Sequence, residues 1–137
     1  MQNINNQVNW QIWYTSSNDR ALDFIKNFKS NYKELKDKAD FTPRFVTWSC
    51  VGCDSEFKKK ECLSGGKYCA MNHQGGYVEG KDILMEDLRE YCLHKLSKED
   101  GKPEDWWNYM QYVHSMCYEE INEECSKLGH KNIGRDY

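Results

Sequence analysis

Apolar and polar positions alternate through VNWQIWY, residues 8–14, setting Val8, Trp10, Ile12 and Tyr14 on one face, the pattern of a β-strand. Trp13 stands on the other face and predicts that this side is covered as well. The period then lengthens. Beyond Ser17 and Asn18, either of which can cap a helix, Leu22, Ile25, Phe28, Tyr32 and Leu35 recur at helical spacing. Pro43 opens a second short strand, Arg44-Phe45-Val46-Thr47-Trp48. Residues 8–49 thus predict a β-α-β unit, a parallel pair with a right-handed crossover.

Periodicity is lost over residues 50–80, where cysteines, polar residues, Gly65-Gly66 and Gly75-Gly76 predict an irregular segment tied by disulfides. It returns over 81–97, a helix with Leu84, Leu88, Tyr91, Cys92 and Lys95 on one face. A second, long helix is predicted over 103–129. Pro103 stands in its first turn, and Glu104 and Asp105 suit the positive end of its dipole. Its buried stripe is Trp106, Met110, Val113, Cys117, Ile121, Cys125 and Leu128, with Gly129 as the C-cap. No repeat or low-complexity tract interrupts the chain, so residues 1–137 read as one domain, or part of one.

The chain has 137 residues, 39% of them hydrophobic and 14% aromatic, which supports a packed core and excludes a disordered chain. Its formal net charge of −3 provides no basic field for nucleic acid, and Lys58-Lys59-Lys60 reads as solvated surface. MQNINNQVNW holds no apolar leader, and no run of about 18 apolar residues points to membrane insertion. Seven cysteines, however, predict an oxidising compartment, the secretory lumen or the extracellular space. A signal peptide removed by processing, or membership of a larger protein, would reconcile the two. The odd count leaves one sulfur unpaired within the chain.

Cys50-Val-Gly-Cys53 admits three chemistries. A redox dithiol places its first sulfur at a helix N-terminus that stabilises the thiolate, and Asp54 or Ser55 can cap a following helix. In thioredoxin-like proteins, though, the dithiol lies between the first strand and its helix, where this chain reads Thr15-Ser16-Ser17-Asn18. A zinc site would draw on Cys50, Cys53, Cys62 and Cys69, with His73 as a substitute, but their spacings lack the second short pair. A disulfide frame of three bridges and one unpaired thiol fits best, ahead of seven buried free thiols. Cys117 and Cys125, eight residues apart on the long helix, are expected about 12 Å from each other, beyond bonding reach. Each then needs a partner elsewhere, Cys92 or a loop cysteine. Bridges of that kind contribute about 2–4 kcal/mol each.

No other constellation carries catalysis. His73, His94, His114 and His130 are scattered. Glu119-Glu120 and Glu123-Glu124 read as the solvated side of the long helix, and no nucleophile elbow, phosphate loop or metal helix occurs. No cofactor is implied. Trp106 and Trp107 are the candidates for contact with a ligand, because adjacent helix positions do not both face one core well. The plainer reading packs one in the core and lays the other over a loop.

Several landmarks in order resemble a known family. They are Phe41-Thr42-Pro43, Val46-Thr47-Trp48 and Cys50, then Cys62, Lys67-Tyr68-Cys69, Tyr77, Gly80-Lys81-Asp82, Leu88-Arg89 and Cys92. Trp106-Trp107, Tyr109, Cys117, Cys125 and Leu128-Gly129 follow, and residues 16–19 and 24–29 match too. The set is similar to the lumenal region of plant-type vacuolar sorting receptors between the protease-associated domain and the EGF-like repeats. That resemblance implies a thioredoxin-like α/β (α+β) fold, with a disulfide-tied helical insertion and without the C-terminal strands of the family pattern. It implies a non-catalytic module for a protein or peptide partner, in the secretory pathway lumen or outside the cell. The family's extra cysteines before the first helix are absent here, and the odd cysteine or the open sheet would find its complement in another segment or chain. The other readings are a structural building block of a secreted assembly and a thiol-disulfide oxidoreductase using Cys50 and Cys53.

Overall fold

The computed structural model describes residues 7–72, 77–117 and 120–137. Strand β1, Val8–Tyr14, helix α1, Asp19–Leu35, and strand β2, Ala39–Phe45, form the expected β-α-β unit. The strands pair in parallel, with Trp10 opposite Phe41 and Ile12 opposite Pro43. β2 therefore runs earlier than residues 44–48 and holds Pro43 in its middle. A two-stranded sheet has an outer edge on each strand, where a residue without an N–H is tolerated. Asn18 caps α1 through the Ala21 N–H, as its short polar side chain favours.

The segment after β2 is more regular than its composition predicts. Asp54 caps a short helix α2, Ser55–Glu61, and a tight hairpin follows: β3, Cys62–Leu63, a 3-10 turn, Ser64–Gly66, and β4, Tyr68–Cys69. The hairpin strands are antiparallel and cross-linked by Cys62–Cys69. Trp48 forms a bridge with Cys69 rather than continuing β2. Gly75 and Gly76 lie outside the described residues. The lobe docks through Gly80, whose N–H donates to Glu61 Oε2 at 2.8 Å. A Cβ on Gly80 would stand 1.8 Å from the Ala70 carbonyl oxygen, so no other residue permits this approach.

Three helices complete the fold: α3, Gly80–Glu99, α4, Glu104–Met116, and α5, Glu123–Asn132. The expected long helix over 103–129 is thus two helices. The chain leaves helical geometry at Cys117, and Asn122 caps α5 through the Cys125 N–H. The reversal brings Cys117 and Cys125 to a Cα separation of 5.9 Å, and they bond to each other. The distance argument against that pair assumed a continuity the chain does not have. Gly129 is no cap but an interior residue of α5, where a Cβ would meet the Tyr109 ring at 2.7 Å.

The main core joins both faces of α4 to the β-α-β unit: Tyr14, Ile25, Tyr32, Phe41, Leu93, Trp106, Trp107 and Met110 are all buried. Trp107 stacks on Tyr32 at 4.7 Å between centroids, while Trp106 turns toward Phe41 and His94 and donates its indole N–H to the Glu90 carbonyl. Adjacent tryptophans fit one core because α4 is packed on two sides, by α1 and by α3. Trp10 packs on this cluster, whereas Trp13 is 65% exposed, so the outer sheet face is not covered as expected.

α3 reverses the expected polarity. Ile83, Glu86, Asp87, Glu90, Leu93 and Ser97 are buried, whereas Leu88, Tyr91 and Cys92 are exposed. Of the face predicted for the core, only Leu84 is inside.

Candidate functional site

The buried acids of α3 meet a turn that the strand pattern alone places. β1 ends at Tyr14, and Thr15–Asn18 carries the chain over the inner face of α3 before α1 begins. Ser16 ties the two together: its N–H donates to Asp87 Oδ1 at 2.8 Å and its hydroxyl to the Ile83 carbonyl at 3.1 Å. Above this junction lies a cavity of about 1050 Å³, walled by the turn, the inner face of α3 and the link from α4 to α5. It opens beside the C-terminal end of a parallel strand, where α/β folds commonly bind ligands.

Three carboxyl groups within two turns of α3 underlie the cavity. Tyr109 Oη donates to Glu86 Oε1 at 2.7 Å, stands 2.7 Å from Ser126 Oγ, and so joins α3, α4 and α5. Arg89 pairs with the second Glu86 oxygen at 3.0 Å. Tyr14 Oη donates to Glu90 Oε2 at 2.8 Å. Asp87 Oδ2 is buried and has no hydrogen-bond partner among the described residues.

Burial dominates their titration, since removing water disfavours the charged form. It pushes Asp87 up to about 7, against the opposing pull of the Ser16 hydrogen bonds. Burial raises Glu86 too, and the bonds from Tyr109 and Arg89 hold it back. Glu90 lies well above the carboxylate range, first through burial and then through the charges of Glu86 and Asp87. The phenols of Tyr14 and Tyr109 are raised as well, again chiefly by burial.

The predicted site residues fall elsewhere. Cys50 bonds to Cys53 ahead of α2, and Cys62 to Cys69, which leaves these four unavailable as a common zinc set. His73 lies outside the described residues, as does Glu119. Cys92 is free and exposed rather than bridged to α4 or α5. Trp106 and Trp107 are 0% and 2% exposed, so neither offers a surface to a ligand. His94 packs edge-on against Phe41 and Trp106 in the interior, where burial and then Lys98 push it down to about 4. His114 Nε2 stands 2.8 Å from Asp23 Oδ1, and His130 Nδ1 2.8 Å from the Ser126 carbonyl.

Glu86, Asp87 and Glu90 escaped the sequence reading. Their signal was a second stripe at helical spacing, Ile83, Glu86, Glu90, Leu93 and Ser97, hidden because acids on a helix default to solvent.

The family model described as vacuolar sorting receptor thioredoxin-like domain matches residues 8–137. Vacuolar-sorting receptor 7 of Arabidopsis thaliana is 36% identical over 126 residues, taking in 81% of this chain and 20% of that protein. Vacuolar-sorting receptor 6 of the same plant is 31% identical over 145 residues, with 93% and 23% covered. Vacuolar-sorting receptor 1 of Pisum sativum is 31% identical over 147 residues, with 95% and 23% covered. The chain therefore spans between a fifth and a quarter of the length of these relatives.

Proposed function

The chain belongs to the vacuolar sorting receptor thioredoxin-like domain family, and from that premise we propose that it is a non-catalytic binding module for a protein or peptide in the secretory pathway lumen or outside the cell. The observation that carries this reading is the place and make-up of the cavity. Where a thioredoxin-like enzyme holds its dithiol, this chain has Thr15–Asn18, and Ser16 and Ser17 line an open space large enough for several side chains. Its one Cys-x-x-C is a closed bridge in the α2 lobe. Three bridges also suit an oxidising lumen.

Selection of a random peptide library on the intact chain tests the proposal, with Ser17→Trp as the comparison. Ser17 is half-buried on the cavity wall, and an indole there fills the opening. Peptides enriched on the wild type and lost on Ser17→Trp are expected. No enrichment, or equal enrichment on both, rejects the cavity as a binding site.

A second reading, a structural block within an assembly, draws on the outer face of α3. Met85, Leu88, Tyr91 and Leu96 are exposed there beside the free Cys92. β1 and β2 also pair only with each other among the described residues, so each offers an edge to a strand from another segment or chain. Light scattering at rising concentration separates the two: the binding module stays monomeric, whereas the block associates.

A further inference from the structure

The cavity has a polarity beyond what peptide binding alone requires. Asp19, Asp82, Glu86, Glu90 and Glu120 line it, with no Lys or Arg among the described lining residues. Leu22, Val78, Val113 and Ile121 supply apolar wall. Glu90 is 1% exposed yet forms part of the lining, and Tyr14 takes one oxygen of its carboxyl, the only hydrogen bond that carboxyl makes among the described residues. A carboxyl sunk this deep with half its accepting capacity unused is costly unless a donor arrives.

Among the described residues no three His, Cys, Asp or Glu side chains are grouped to hold a metal ion. An organic cation with an apolar stem does fit, because apolar walls above an acidic floor match the two halves of a basic side chain.

We propose that the cavity receives the cationic end of a Lys or Arg side chain from a bound peptide, with Glu90 as its principal acceptor. This rests on the binding reading above and adds its chemical selectivity. The stem packs on Leu22, Val113 and Ile121, and the cation meets Glu90 on the floor. Glu86 is already committed to Arg89 and Tyr109, which leaves Glu90 as the carboxyl on the floor with an oxygen to offer. Tyr14 from β1, Glu86 and Asp87 from α3, and Tyr109 from α4 surround Glu90, and His114 stands at the same cavity wall. A cation arriving among them favours ionised Glu90, so binding should expel a proton.

The test titrates the isotope-labelled chain with N-acetyl-argininamide and with its neutral isostere N-acetyl-citrullinamide, following backbone amide signals. Saturable shifts at Ser16, Ser17, Ile121 and Asn122 with the arginine probe alone are expected. Glu90→Gln, which keeps the Tyr14 bond and the shape, should weaken that binding about tenfold or more. Ser17→Lys, which tethers an ammonium at the same opening, should abolish it. The exposed control Glu123→Gln should leave it unchanged. Calorimetry in buffers of different ionisation heat should show proton release that Glu90→Gln removes. Equal shifts with citrullinamide, or no weakening in Glu90→Gln, overturn the proposal. If library peptides still bind and Ser17→Trp still blocks them, the binding reading survives that failure. If the arginine probe binds as expected while no library peptide does, the binding reading falls and the cation site stands.

Discussion

Asp87 and His94 lie two turns apart on α3 and pull stability in opposite directions with pH. The fold holds Asp87 near 7, above its ordinary value, so the folded state binds the extra proton. Its share of stability is full below about pH 4 and is lost as pH rises through 7. His94, held near 4, prefers to be neutral, and its share is full above about pH 6.5 and lost as pH falls toward 4. Asp87→Asn removes the first limb while still presenting an oxygen to the Ser16 N–H. The variant should be more resistant to urea than the wild type at pH 8, by at most about 4 kcal/mol, with the gap narrowing to about 1.5 kcal/mol at pH 5 and closing below about pH 4. An offset that is the same at both values would mean that Asp87 is not protonated by the fold.

At the scale of elements, α3 and the α4–α5 turn decide how the pieces pack. Leu88→Ser and Leu96→Ser, on the outer face of α3, should each shift the unfolding free energy by less than about 0.5 kcal/mol. Leu93→Ala on the inner face should cost about 2–5 kcal/mol. Similar costs on both faces would mean that the exposed stripe is covered in solution. Gly129→Ala drives a methyl into the Tyr109 ring and strains its bonds to Glu86 and Ser126, at about 1–3 kcal/mol. A variant with the wild-type urea midpoint would show that α5 sits more loosely against α4.

The same elements show what could be read from the sequence. β1 and α1 were legible because alternation and helical spacing there coincide with burial, at Tyr14, Leu22, Ile25 and Tyr32. α3 was not, because its apolar residues face outward and its acids face in, and that choice is made by Tyr14, Ser16 and Tyr109 from distant parts of the chain. The helix break at Cys117 was illegible for a related reason: the heptad-like stripe runs on through Cys125 and Leu128, while a disulfide and the Asn122 cap impose a turn. The cavity needed both of these features, so no reading of single motifs could find it.

Across the whole molecule, the sulfur count is the plainest prediction. Alkylation of the folded protein before reduction should label one thiol, at Cys92, and Cys92→Ser should label none, as read by intact mass. Labelling of all seven cysteines before reduction would remove the oxidising compartment from the account. The bridges span 3, 7 and 8 residues of sequence, so each closes a short loop and contributes about 1.5–2.5 kcal/mol in the chain-entropy view. None of them joins the β-α-β unit to anything else.

That nearest-neighbour connectivity bears on biosynthesis. Each bonded pair consists of two consecutive cysteines in the sequence, and the loops neither nest nor cross. A chain threaded through a membrane from its N-terminus would present Cys53 just after Cys50, Cys69 just after Cys62, and Cys125 soon after Cys117. Oxidation in order of arrival meets one competitor, Cys92, which emerges between the second and third bridges. In such a chain the native pattern would be reached by first-come pairing, with reshuffling needed only when Cys92 captures Cys117 before Cys125 has appeared.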